Sequence, residues 1–238
     1  MDIDRTTLAD LEVLDDSQRR GGVLGLVDYT SVPAGYRALK RRLREPRAKA
    51  AEIRATQRAV RFFAAVADVR GLVRPETTLL VSRYLESNVA SLEYGPLRRV
   101  RLAVLHRDVV QEVRSGVSVT EAWLRELQST MRWLKAQDPP DLVLRLVERC
   151  LSEIDGLPST SGSTSLSRVL EVDRALRGEA RARLQAAMDV VGELDALRSM
   201  ARATRMLGWS FPDIIESDEF VLEGEGLFKP FLSDPASN

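Results

Sequence analysis

Hydrophobic positions recur at helical spacing along most of this chain, and the interruptions fall at proline, glycine and serine clusters. Thr30-Ser31-Val32-Pro33 supplies a cap-type residue and a first-turn proline, predicting a helix that runs to about Leu43 and stops at Pro46. A second helix is expected over 48–69, with Ile53, Val60, Phe63 and either Val66 or Ala67 on one stripe. Further helices are predicted over 75–87, 96–115, 118–136 and 139–156, divided by Gly95-Pro96, Gly116 and Asp138-Pro139-Pro140. Seven consecutive Ser, Thr or Gly residues at 159–165 have no apolar surface to bury, so 158–165 reads as a flexible loop. The longest periodic run follows. Leu166, Val169, Leu176, Ala180, Leu184, Ala187, Val191, Leu194 and Ala201 predict one helix over 166–207, about 60 Å long at 1.5 Å per residue, with Gly178 as its weak point. Past Gly208 the pattern changes: residues 219–222 are strand-like, and Gly224, Gly226, Pro230 and Pro235 end helix formation.

Composition supports an all-α domain. Aromatics are only 5%, while Leu, Ala, Arg and Glu, all good helix formers, dominate. The 238 residues allow a substantial core, and 44% hydrophobic with 29% charged residues is a soluble balance. Lys plus Arg equals Asp plus Glu at 35 each, so net charge points to no particular partner. With Cys150 alone, neither an internal disulfide nor a cysteine metal site is possible. The acidic start is wrong for a secretion signal, and no apolar run suits a membrane helix, so a cytoplasmic protein without a membrane partner is expected.

Charge is uneven locally. Residues 34–61 hold ten Lys or Arg and two Glu, whereas 209–238 hold seven acidic residues and only Lys229 as a base. Arg37, Lys40, Arg41 and Arg44 share one helical face that could follow a phosphate backbone, or meet the acidic tail or another domain. Glu193 and Asp195, two apart on a helix, read as solvated, with Asp195 able to pair with Arg198. No GxxxxGK[ST], GxSxG, HExxH or GxGxxG motif occurs, and His106, the only histidine, reads as an ordinary helical residue. No catalytic or metal residue is therefore assigned.

Three segments, in order, resemble the MutS family. Residues 28–46, DYTSVPAGYRALKRRLREP, are similar to its core signature, with Asp28, Thr30, Pro33, Gly35 and Leu39 at the matching positions. Residues 3–12 look like the entry to that core, and 192–201, with Glu193, Leu194 and Asp195, resemble the end of the family's lever helix. Phe211-Pro212 and 223–230 stand where the family has a strand leading to a Gly-x-His-Pro-like turn, with Lys229 in the histidine's place.

The resemblance implies a multi-helix core over 1–157, a loop at the clamp-insertion position over 158–165, a long returning lever helix over 166–207, and the start of an ATPase domain over 208–238. It implies a short paralogue lacking mismatch-recognition and clamp domains, ending here ahead of its ATPase domain. The region itself would not be an enzyme and would hold no cofactor. The full-length protein would be an ATPase using ATP and Mg, a homodimer through that domain, with DNA as a weak or indirect partner of this core. The alternative from another class is a freestanding helical adaptor for protein partners.

Overall fold

The computed structural model describes residues 22–66, 72–87 and 107–217, with isolated positions at 13, 221 and 223–225. Among them lie eight helices and no strand: α1 (Gly22–Val27), α2 (Pro33–Arg44), α3 (Ala50–Ala65), α4 (Pro75–Glu86), α5 (Arg107–Lys135), α6 (Asp141–Ile154), α7 (Leu166–Arg177) and α8 (Arg181–Leu207). The family's entry segment at 3–12, the 96–106 stretch with His106, most of the strand-like 219–222, and Lys229 lie outside the described residues. No described helix is long and apolar enough to cross a membrane.

Helix α8 is the axle of the fold. It packs against α1, α2, α3, α6 and α7, and Leu184, Ala187, Val190, Val191, Leu194, Ala196 and Leu197 are buried around most of its circumference. Buried positions on most sides mark it as a helix enclosed by others, with Gln185, Asp189 and Arg202 left exposed. The main core joins it to Phe63 of α3, Trp123, Leu127, Met131 and Leu134 of α5, Val143 and Val147 of α6 and Leu176 of α7. Trp123 meets its polar obligation inside that core, its Nε1 donating to Thr78 Oγ1 of α4 at 3.1 Å. A second, smaller cluster of Leu24, Val27, Ala38, Leu39, Ala196 and Ala203 packs α1 and α2 on the other side of α8.

Three expectations about elements are corrected. The predicted break at Gly116 does not occur, because α5 runs through it from Arg107 to Lys135. The glycine serves packing instead: a Cβ there would run into the Tyr84 ring of α4. The single helix over 166–207 is two helices, broken at Gly178 (φ −92°, ψ −109°). A Cβ on Gly178 would sit 2.8 Å from the Arg174 carbonyl oxygen, so the break needs glycine. The long returning helix is thus α8 alone, 27 residues and about 40 Å. Lastly, α2 has Pro33 at its first turn as expected, but its N-cap is Val32, with no side-chain cap. The loop that leads into it is held instead by an acceptor from α8.

Candidate functional site: the α2–α8 joint

The loop 28–32 brings the chain into α2, and its free backbone N–H groups need acceptors. Asp195 provides them from 164 residues away. Its Oδ2 accepts from Ser31 N at 2.7 Å and Val32 N at 3.1 Å, and its Oδ1 accepts from Ser31 Oγ at 2.8 Å. Arg198 Nη2, one turn on, donates to Asp195 Oδ1 at 3.1 Å and Ser31 Oγ at 2.8 Å. Only 1% of Asp195 is exposed. A carboxylate can be buried so deeply because four donors surround it, one of them the Arg198 cation. Asp28 tightens the same loop, its Oδ1 accepting from Thr30 N at 3.1 Å and Thr30 Oγ1 at 2.6 Å, an Asx turn.

One turn further along α8, Ser199 repeats the arrangement. Its Oγ accepts from Tyr29 N at 2.7 Å and donates to Val27 O at 2.6 Å. Arg202 lies over the Tyr29 ring at 5.0 Å. Small residues let the two backbones meet. A Cβ on Gly35 would collide with the Asp195 carboxylate, and one on Gly192 would lie 2.7 Å from the Ala34 carbonyl carbon and oxygen. Gly192, Ala196, Ser199 and Ala203 therefore form a stripe of small side chains along α8, facing α1 and α2. The joint has no slack.

At its edge, Glu193 binds two arginines of α2. Its Oε2 accepts from Arg42 Nε at 3.1 Å and Nη2 at 2.6 Å, and its Oε1 pairs with Arg41. Of the predicted basic face, Arg37 and Arg44 are exposed, Lys40 is half-buried, and Arg41 is exposed while engaged with Glu193. The four do line one side of α2, but the face is partly spent internally.

The predicted motif residues thus fall into one place. Asp28, Thr30, Pro33 and Gly35 build the loop and first turn, Asp195 grips that loop, Glu193 holds Arg41 and Arg42 in the last turn of α2, and Leu39 and Leu194 are fully buried. The expectation that Glu193 and Asp195 are solvated is corrected: one is half-buried between two arginines and the other is among the most enclosed polar groups described. Their donors belong to a loop far away in sequence, so spacing along the helix alone could not reveal them. Sequence reading also missed Ser31, Arg42, Gly192 and Ser199. The available signal was the run of small residues at 192, 196, 199 and 203, which marks a face built for close approach.

The serine-rich loop is attached at one end. Thr160 is buried, and its N and Oγ1 donate to the Glu121 carboxylate of α5, the hydroxyl at 3.2 Å. Arg168 Nη2 donates to Ser159 O at 2.7 Å. Residues 161–165 are exposed, whereas Thr160, inside the stretch expected to be a flexible loop, is buried and anchored.

Elsewhere the ionisable groups serve structure. Tyr84 donates to Asp173 Oδ1 at 2.6 Å, with Arg177 over its ring at 4.2 Å, and burial pushes its phenol well above the usual range. Burial pushes the Cys150 thiol up to about 12, which leaves it a packed, unreactive group. Among the described residues no cluster of three or more His, Cys, Asp or Glu could hold a metal ion.

No curated protein matches the chain closely enough to count as a relative. The family model for MutS domain III matches residues 6–201, from the entry segment to the last turns of α8, and the chain belongs to the MutS family, with this helical core as its domain III.

Proposed function

We propose that this region is the lever of a MutS-like ATPase, in which α8 carries displacement between a C-terminal nucleotide-binding domain and the surface that engages DNA or a partner. In this reading 158–165 occupies the clamp-insertion position and 208–238 leads into an ATPase domain that uses ATP and Mg and pairs two copies of the protein. The region performs no hydrolysis itself.

The observation that supports the reading is the α2–α8 joint. A buried carboxylate, a buried hydroxyl and two glycine contacts fix one side of α8 to loop 28–35. Packed helices joined so closely move as near-rigid pieces between discrete arrangements. A push at the C-terminal end of α8 therefore arrives at α2, where Glu193 also sets the positions of Arg41 and Arg42. DNA contact through Arg37, Lys40, Arg41 and Arg44 is weak and non-specific in this proposal, because few phosphates are reached. The competing adaptor reading draws on Leu79 and Leu80, which are exposed on α4.

The test is Asp195→Ala in the protein encoded by the whole reading frame. A phosphate loop downstream of codon 238, with ATP hydrolysis that persists in the variant but no longer alters DNA or partner affinity, is the expected result. A frame that closes without a phosphate loop, or coupling that survives the substitution, overturns the lever.

A further inference from the structure

Beyond α8 the chain turns back on the core. Gly208 takes a left-handed conformation (φ 65°), and Trp209 N donates to Thr204 O at 3.1 Å, closing the helix. The following segment lies along α3. Arg61 sits over the Phe211 ring at 4.6 Å, Gln57 Nε2 donates to Pro212 O at 2.7 Å, and Arg54 Nη2 donates to Ile214 O at 2.7 Å. Arg54 Nη1 also binds Glu216 at 2.6 Å. Rising numbers on the segment meet falling numbers on the helix, so the two run antiparallel. Positions 54, 57 and 61 lie three and four apart, on one face of α3.

We infer that residues 211–216 form a releasable strap, which ties the chain emerging from the lever to α3 and can peel off without unfolding the core. Two of its contacts go to backbone carbonyls and carry no side-chain specificity, while Phe211 and Glu216 set the register. Only Phe211 packs against the main core. The ion pair is solvent-accessible, with 41% of the Arg54 side chain and 68% of that of Glu216 exposed. Such pairs are weak and are screened by salt. Charge favours the docked form, since a base-rich helix meets the acid-rich tail. The strap therefore differs in kind from the α2–α8 joint: it is polar, accessible and reversible, and it sets whether α3 follows the segment leaving α8.

The experiment uses the 238-residue chain alone, so its outcome is independent of any ATPase domain. Nitroxides are attached at Arg58→Cys and Ile215→Cys, both exposed positions; buried Cys150 stays unlabelled. Pulsed electron resonance in low salt should give one narrow distance peak. That peak should be lost to a broad distribution at about 1 M salt, where the screening length is about 3 Å, and in Arg54→Ala/Gln57→Ala at low salt. The charge exchange Arg54→Glu/Glu216→Arg should restore it relative to Arg54→Glu alone. Unchanged helical circular dichroism verifies that each variant is folded. A broad distribution in the unsubstituted low-salt chain, or a narrow peak indifferent to salt and to the double variant, overturns the strap.

Discussion

Asp195 on α8 and Glu121 on α5 each hold a loop by the backbone N–H and the hydroxyl of a single residue, Ser31 in one case and Thr160 in the other. The hydrogen-bonding chemistry is the same, but the surroundings differ. Asp195 has a further amide, an arginine, and glycines that admit no extra atom around it. Glu121 is half-buried, and immediately beyond Thr160 the chain is exposed for five residues. One carboxylate therefore locks two helices together, whereas the other pins one end of a loop whose exposed remainder is bonded locally, among its own serines and to the start of α7. A transmission element requires the first kind of contact and an insertion point requires the second.

The largest effect expected is at the locked end. Asp195→Ala leaves two backbone N–H groups without their acceptor and removes the anion beside half-buried Arg198, at a cost of about 3–5 kcal/mol. For a domain of this size that corresponds to a fall in Tm of roughly 6–20 °C. Glu121→Ala should cost only about 1 kcal/mol, because water can reach the vacated donors. Thermal unfolding of both variants compares them directly; equal losses would erase the distinction.

Gly192→Ala sharpens the comparison by adding one methyl group without touching charge. With the Ala34 carbonyl 2.7 Å from the new carbon, the helices must separate, at a cost of about 1–3 kcal/mol. An unchanged denaturation midpoint would mean that the joint has give.

At the open end, a small folded domain inserted between Gly162 and Ser163 should lower Tm by no more than a few degrees, since exposed polar loops tolerate insertion. The same insertion between Leu157 and Pro158 should cost more, because it lies ahead of the Thr160 anchor. Calorimetry of the two insertions separates the halves of the loop.

The smallest effect concerns DNA. With Arg41 engaged by Glu193, two or three phosphate contacts remain for α2, giving a salt slope of about −2 to −3 and binding only at low salt. Arg37→Ala/Lys40→Ala/Arg41→Ala should remove most of that binding, measured by fluorescence anisotropy, with no preference for a mismatch at any salt. Tight, mismatch-selective binding at physiological salt would contradict the proposal.

Much of this architecture is legible in the chain. Helical period, Pro33, Pro46, Pro139-Pro140 and Gly208 mark elements and ends because backbone constraints act locally. The helix through Gly116 and the break at Gly178 show where that reading stops. Both are glycines in helical sequence, and the difference lies in what faces them: the Tyr84 ring for one, the chain's own Arg174 carbonyl for the other. The site was legible as a set of motif residues but not as a mechanism. Asp195 reads as a surface acid until loop 28–32 is folded against it, and its role arises from donors that sequence distance conceals.

A lever requires that the α2–α8 joint open only when the core does. Native-state hydrogen exchange at individual amides tests this most directly. The Ser31 and Val32 amides, bound to Asp195, should exchange only through global unfolding, with the full denaturant dependence of the slowest amides in α8. The Thr160 amide should exchange through a local opening, faster and nearly independent of denaturant. If Ser31 and Val32 exchange as readily as Thr160, the joint flexes in the native state and α8 is not a lever.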